Sequence, residues 1–482
     1  MMLWKQKLHR NLLLEDENGR KLLARTVFAL AIKYLKEDLW VVSNDRIANA
    51  VLQNEIHWVL TVPAIWNNAA KQFMREAAEE AGIESDMLTI ALEPEAASLF
   101  CRHLPVEKSG NQFSLASLRT GSQYLVLDAG GGTIDITVHE VTESGGVKEL
   151  YKASGGAWGG TKVDASFEEF LVCLTDKSVV KKFKQDNLDD YIELLRRFEV
   201  KKREIDPDKD TKVVMSIPLA FFTTVKKRLH KDLNKAVKKS FYSNSVSLSG
   251  DKLKIDPAVA QSFFKESVDN TIEHVKDILQ KRENRGVEAI LMVGGFSESK
   301  MLSKAFKRTF PTLKMILPDE AGLAVLKGAV IFGHEPREIV ERISKYTYGI
   351  AMDPYFDSRM HPKSAKFTDN AGVDKCKNFF DKHVIAGQSL RVGEAQSEQT
   401  YATTPSHKST VHIEVFATES KSPVLVTDPG CRKVGQCTIP MAGTGAGRKV
   451  LVNMIFGGTE FDVECTEIAT GKVSHITIDF LL

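Results

Sequence analysis

Along residues 20–335 the apolar positions alternate between two textures. Runs in which nearly every position is apolar, such as His57–Val62 and Ala289–Val293, have the density of strands buried on both faces. Between such runs lie stretches whose apolar residues recur every three to four positions, the mark of amphipathic helices. One helix is predicted from an Asn67 cap through Ala81, with Gly82 supplying the left-handed residue that favours a helix end. Leu188–Glu204 and Pro257–Arg282 are predicted as long helices, the second opened by Asp256 as cap and Pro257 in the first turn. Shorter helices are expected from about Ser297 to Arg308 and from about Glu320 to Phe332. Tyr124–Asp128 and Ile134–Val141, joined by a glycine-rich turn, read as a hairpin. This is α/β patterning.

From Thr347 onward the texture changes. Thr410–Phe416, Lys449–Phe456, Glu460–Glu464 and Ser474–Phe480 are short, alternating and rich in β-branched residues, with Gly, Pro, Ser and Asp between them. A smaller β-rich C-terminal domain over 345–482 is therefore expected after an α/β domain over 1–335. The polar segment Pro105–Ser122 is expected to be a loop.

Composition narrows the function classes. A chain of 482 residues is too long for one core. Its 43% hydrophobic and 27% charged residues are those of an ordinary globular protein. A net charge of +2 argues against nucleic acid as a partner, and the basic stretch Lys226–Lys239 lies in helical patterning as a solvated face. No apolar run approaches the ~18–20 residues that span a bilayer, and Met1–Lys5 starts no signal-peptide segment. The six cysteines include no C-x-x-C and no metal-ligand spacing, so scattered thiols in a reducing, cytoplasmic compartment are expected.

Four segments carry candidate chemistry. In Leu125–Asp135 an apolar strand delivers Asp128 to a tight turn, then Gly130, Gly131, Gly132 and Thr133 precede a second strand. Glycines permit positive φ and remove Cβ, so backbone N–H groups can converge on a phosphate. Asp128 can hold a hydrated Mg²⁺, which prefers carboxylates and retained waters. The plain alternative is a glycine-rich hairpin turn. Second, Ala289–Val293 ends in Gly294 and Gly295 before a helix, where backbone can lie against a flat base; strand-to-helix turns of this kind also occur without a ligand. Third, Glu93 precedes Pro94 in a segment that can start a helix, from where its carboxylate can reach water beside a phosphate; a capped, tightly packed helix reads equally well. Fourth, Glu199 and Lys202 share a helix face and can grip ribose hydroxyls or form an ordinary ion pair.

The order and spacing of these segments resemble the actin/hexokinase/heat-shock-70 nucleotide-binding fold, and more narrowly the 70-kDa heat-shock family. Thr61–Asn67 (T-V-P-A-I-W-N) is similar to that family's V-T-V-P-A segment, Leu92–Ala97 to its first inter-lobe helix, and Asp128–Thr133 to its second phosphate loop. Leu317–Ala321, running on to Lys327–Ala329, is similar to its second inter-lobe helix. The segments A-L-E-P-E-A-A-S, K-G-A-V-I-F-G and Tyr346–Gly349 resemble the atypical 12A/12B branch. The resemblance implies a two-lobed, actin-like domain, its second lobe spanning about 128–320, that takes ATP or ADP with Mg²⁺. It implies that Gly130, Gly131, Gly132 and Thr133 meet phosphate, and that Asp128 acts through magnesium waters with Glu93 on the γ-phosphate side. Gly159 and Gly160 are similar to the Gly-Gly of the other lobe. Glu199, Lys202 and Arg203 would meet ribose and adenine, Gly294 and Gly295 would back the adenosine, and Asp319 would belong to the nucleotide site.

The departures are as specific. The family's opening D-[LF]-G-T-T loop and its following lysine have no counterpart, so an N-terminally incomplete first lobe and weak or absent hydrolysis are expected. Glu298 stands where the family places an arginine over adenine, and Asp206 where a serine lies near the ribose. The apolar interdomain linker is replaced by the charged Glu335–Glu341, and no helical lid is expected after the β-rich region. Two further function classes stand beside a nucleotide-binding, chaperone-like role with protein clients. One is a nucleotide-free adapter; the other is a sugar kinase of the same superfamily, which the β-rich end disfavours.

Overall fold

The computed structural model describes residues 7–16, 19–46, 52–104, 115–402, 410–440 and 447–481. Its N-terminal part begins with a hairpin of Leu13–Glu15 and Lys21–Leu23, then a long helix, α1 (Ala24–Arg46). Strand β1 (Trp58–Val62) leads into helix α2 (Asn68–Glu80), capped as expected by the Asn67 side chain, which accepts from the Ala70 N–H. Gly82 ends it at φ +82°. Strand β2 (Leu88–Leu92) runs parallel to β1 and passes directly into helix α3 (Glu93–His103).

The centre of the chain is a seven-stranded sheet. Its main strands are β3 (Gln123–Ala129), β4 (Ile134–Val141), β5 (Val147–Gly156), β6 (Val287–Val293) and β7 (Ile339–Ile343). The order across it is Lys314–Ile316, β6, β3, β4, β5, β7 and Ser389–Arg391. Period-two alternation sorts its side chains. Leu125 and Leu127 face a core completed by helices α4 (Gly160–Leu174) and α5 (Leu188–Glu204), where Phe167 and Phe198 stack with centroids 4.0 Å apart. Tyr124 and Val126 face the other side, against Ala97 and Cys101 of α3. On that side α3 crosses helix α6 (Ala324–His334) so closely that a Cβ on Gly328 would lie 1.7 Å from the Ala96 carbonyl oxygen. Only glycine fits this crossing.

Beyond β7, two four-stranded antiparallel sheets face each other over Ile350, Ile413, Val415, Val452, Met454 and Val463. This matches the predicted all-β texture. Three expectations shift. The helix predicted over Pro257–Arg282 is two, Pro257–Ser262 and Lys265–Leu279, because the bend between them buries both Phe263 and Phe264. The helices expected from about Ser297 and Glu320 each open with a 3₁₀ turn, Gly295–Glu298 and Ala321–Leu323. Of the expected Pro105–Ser122 loop, residues 105–114 lie outside the described residues, while Leu115–Ser117 forms a 3₁₀ turn. All six cysteines are free thiols.

Strands β1 and β6 differ in their neighbours. β6 lies between two parallel partners, whereas β1 has β2 alone among the described residues. Local opening costs least where one hydrogen-bonded edge is unshared. Amides of Val59–Val62 should therefore exchange at least about ten-fold faster than those of Ile290–Val293 in native-state hydrogen exchange. Equal protection would show that the edge of β1 is covered.

Candidate functional site

The cleft is assembled from strand ends and helix starts. β3 and β4 set Asp128 and Asp135 opposite each other, with a four-residue turn between them. The Gly130 N–H closes that turn on the Thr133 carbonyl at 3.0 Å. The start of α4 locks the loop from behind: the Gly160 and Thr161 N–H groups donate to the Gly130 and Gly131 carbonyls at 3.1 and 2.8 Å. Gly159 permits that approach, since a Cβ there would lie 2.6 Å from both carbonyl oxygens. The N–H groups of Gly131 and Gly132, by contrast, donate to no protein acceptor among the described residues. A Cβ built on Gly131 would meet nothing within 4 Å. None of the three loop glycines takes a positive φ. What the loop uses is the missing Cβ.

Gly294 closes the far wall. It has φ +82°, its N–H donates to the Ala321 carbonyl, and a Cβ would strike the Asp128 carboxylate at 2.4 Å. Gly295 beside it is exposed and open. The Lys202 ammonium is buried between Glu199 (2.5 Å) and Asp164 (2.8 Å) and reaches the Gly160 carbonyl at 3.4 Å. Sequence reasoning missed Asp164; it lies one turn into α4, facing Lys202. Arg203 pairs with Glu199 but stays 70% exposed, and Asp319 is a surface residue just before the 3₁₀ turn that touches Gly294. Glu298 is also exposed and accepts from the Gly322 N–H. Asp206 binds Lys304 at 2.5 Å.

The electrostatics concentrate on three carboxylates. Burial drives Asp128 up to about 7, and the charge of Asp135 adds to it. Burial likewise raises Asp135 to about 6, although the Ile65 N–H (2.9 Å) and the Thr133 hydroxyl hydrogen-bond to it. Glu93, first residue of α3, is raised well above the usual range by burial and then by both aspartates. No lysine, arginine or histidine forms an ion pair with any of the three among the described residues. Their oxygens also do not gather at direct metal-ligand spacing; among the described residues the group that does is His103, Glu335 and Glu338, elsewhere. Unpaired carboxylates set apart in this way suit a hydrated divalent ion held through its waters. Asp135 was not singled out from sequence as a site residue. The signal was present: two aspartates flanking a four-residue hairpin turn must face each other across it.

Two residues beyond Glu93, α3 carries the buried Glu95. Its carboxylate takes both Nε and Nη2 of Arg342 at 2.7 Å, a two-pronged pair, and Arg342 Nη1 donates to the Gly457 carbonyl at 2.7 Å. Arg342 lies on β7, and Gly457 belongs to the β-rich part. The helix that opens in the cleft is thereby tied to the C-terminal sheets.

With this geometry in view, the comparisons are decisive. The family model described as "Hsp70 protein" matches residues 5–353. This chain belongs to the Hsp70 family. It is 33% identical to human heat shock 70 kDa protein 12A over 96% of this chain and 76% of that protein. It is 31% identical to human heat shock 70 kDa protein 12B over 97% of this chain and 77% of that protein. To the chaperone protein DnaK of Thermotoga petrophila it is 25% identical over 70% of this chain and 51% of that protein. Its α/β part is thus the actin-like ATPase fold of the Hsp70 family, followed by a β-rich C-terminal region. Among the described residues, no helix is long and apolar enough to cross a membrane.

Two stability measurements probe the arrangement. A buried acid whose pKa is raised favours the folded state below its unfolded value, and that contribution is lost as pH rises through the folded value. For Asp128 the loss runs from about 4 to about 7. Asp128→Asn should therefore unfold at higher urea than the parent at pH 8, by roughly 1–3 kcal/mol, with the difference vanishing near pH 4. A variant less stable at pH 8 would contradict the uncompensated charge. In the second, Arg342→Met strands Glu95 and should cost about 3–5 kcal/mol, while Arg342→Met with Glu95→Leu should recover most of it. Additive losses in that cycle would mean that the pair is not coupled.

Proposed function

We propose that this Hsp70-family chain binds ATP or ADP with Mg²⁺ in the cleft between the β3–β4 loop, the start of α4 and Gly294–Gly295. The observation that carries the reading is the pair of free N–H groups at Gly131 and Gly132 beside three carboxylates that lack a cation. Free N–H groups on a Cβ-less loop donate to phosphate oxygens, and the carboxylates take a hydrated cation that the phosphates share. On this reading Asp128, Asp135 and Glu93 hold magnesium waters. Gly130, Gly131, Gly132 and Thr133 cradle phosphate with Gly159 and Gly160 behind them. Gly294 and Gly295 back the adenosine, with Glu199 and Lys202 on the ribose side; Arg203 and Asp319 stand at the rim. Magnesium, once bound, supplies charge neutralisation for the phosphates.

Turnover is proposed to be slow. Hydrolysis needs preorganised positive charge at the transferring phosphoryl group, and removing one such group elsewhere costs roughly 10²–10³ in rate. Here Lys202 is engaged by Glu199 and Asp164, and no other described cation pairs into the carboxylate cluster. The β-rich region is proposed to engage protein clients or adapter partners, in the cytoplasm. A nucleotide-free adapter is the second reading. It is favoured by one observation: the first N–H groups of α4, which could have met phosphate, already serve the loop carbonyls.

Calorimetric titration with ADP and Mg²⁺ separates the two. The expected result is saturable binding that weakens as pH falls from 8 to 6, because Mg²⁺ must displace the protons that the raised carboxylates take up. Gly131→Val should abolish binding without loss of thermal stability, since its side chain enters open space. No heat at millimolar nucleotide would leave the adapter reading, and phosphate release at the rate of an active chaperone ATPase would overturn the proposal of slow turnover.

A further inference from the structure

A cavity of about 510 Å³ lies where α2, β5, the chain just after β7 and the β-rich part come together. None of the cleft glycines lines it, nor do Glu93 or Asp128. Its two walls differ in chemistry. One is cationic: Lys71 from α2, Lys152 from β5 and Lys345 after β7. Among the described residues none of these three has a carboxylate within ion-pair distance. The Lys71 ammonium donates to the Thr459 carbonyl at 2.9 Å, and burial together with the nearby Arg342 charge lowers it to about 8. Asp135 feels the Lys345 charge without forming an ion pair with it, and the other acids nearby do not balance this wall. Glu460 is held by Arg75 and Glu95 by Arg342. Burial raises Glu149 to about 8, so near neutral pH it is mostly uncharged.

The other wall is aromatic and continuous. Tyr346 packs edge-on to Tyr348 at 6.1 Å, Tyr348 lies 5.3 Å from Phe456, and Phe456 meets Phe461 at 4.2 Å. At its end Lys345 and Arg432 both sit over the Tyr346 ring, at 5.6 and 5.1 Å. Lys71 feels the like charges of Arg342 and Lys345 beside a buried apolar face, and such crowding is costly in a medium of reduced dielectric. A bound anion removes that cost, and a flat apolar body covers the rings. The volume falls within the ~300–1,000 Å³ of small-molecule sites.

We propose that this cavity binds a small aromatic anion, with its phosphate or carboxylate group against Lys71, Lys152 and Lys345 and its ring system against Tyr348, Phe456 and Phe461. Such a ligand would touch α2, β5, the chain after β7 and the β-rich part at once, so its binding stabilises their present arrangement.

The test is calorimetric titration of the full chain with 1-naphthyl phosphate. Saturable one-to-one binding is expected, undiminished by saturating Mg²⁺ and ADP. The neutral 1-naphthol and inorganic phosphate should each bind at least about ten-fold more weakly, the worth of one ion contact or of the ring wall. Lys71→Met and Lys345→Gln should each weaken 1-naphthyl phosphate by about ten-fold or more. Lys345 is half-buried at the rim, so its variant carries the test even where Lys71→Met fails to fold. Absence of binding, equal affinity for 1-naphthol, displacement by Mg²⁺ and ADP, or unchanged affinity in the folded lysine variants would each overturn the proposal.

Discussion

The arrangement of this molecule rests on one buried ion pair. Glu95 and Arg342 are both almost inaccessible to water, and each satisfies the other through two parallel hydrogen bonds. Taking two charges out of water costs several kcal/mol per ion, which only such geometry repays. The pair sits at the junction of three bodies. Glu95 belongs to the helix that starts in the cleft, Arg342 to the strand that extends the central sheet, and the third prong of Arg342 reaches the β-rich part at Gly457. Further polar cross-links, more exposed to water, lie around it: Arg75 with Glu460, Arg10 with Asp479, and the Phe480 N–H with Gln72. Helix α2 and the C-terminal sheets thus meet through polar contacts that tolerate no slippage, because each shifted residue would leave a charge or donor unsatisfied.

The cleft obeys the opposite logic. Among the described residues its carboxylates are buried without a cationic ion-pair partner, and the sheet that brings Asp128 and Asp135 together gives them nothing to neutralise each other. A fold keeps such groups only where something arrives to complete them, or where they serve function at a cost in stability. The Glu95 pair and the Glu93 cluster are two residues apart on one helix. The rigid contact and the incomplete one are therefore neighbours, and a change in charge at the second acts on the element that carries the first.

Much of this was legible in the sequence. The glycine-rich hairpin, the Asn67 cap and the Leu188–Glu204 helix follow from local rules, and the structure keeps them to within a residue or two. So does the switch to β-rich texture after Thr347. What local rules missed was decided by tertiary contact. The bend at Phe263–Phe264 places both rings in the core, and periodicity along one segment did not mark where the helix breaks. Glu335–Glu341 was read only as a charged replacement for an apolar linker, yet it runs into β7, where Arg342 finds its acid in a helix 247 residues earlier. Asp164 opposite Lys202 was invisible for the same reason. In the cleft, the glycines were found by composition, but the reason for Gly159 and Gly294 lies in neighbouring backbone and carboxylate only ångströms away.

The strand pairing of β7 changes what kind of connection joins the two parts of this protein. In parallel register with β5, and with Ser389–Arg391 returning antiparallel on its other side, the segment is a course of masonry laid into the sheet. A hinge turns by rotating a few dihedrals, but a strand with neighbours on both sides moves only by unzipping. Reorientation of the β-rich part is then a local unfolding event, on the microsecond-to-second timescale of such openings. Its rate would be set by ladder hydrogen bonds and by the release of Arg342 from Glu95. The molecule is accordingly built to hold one posture for long intervals and to change it rarely, all at once.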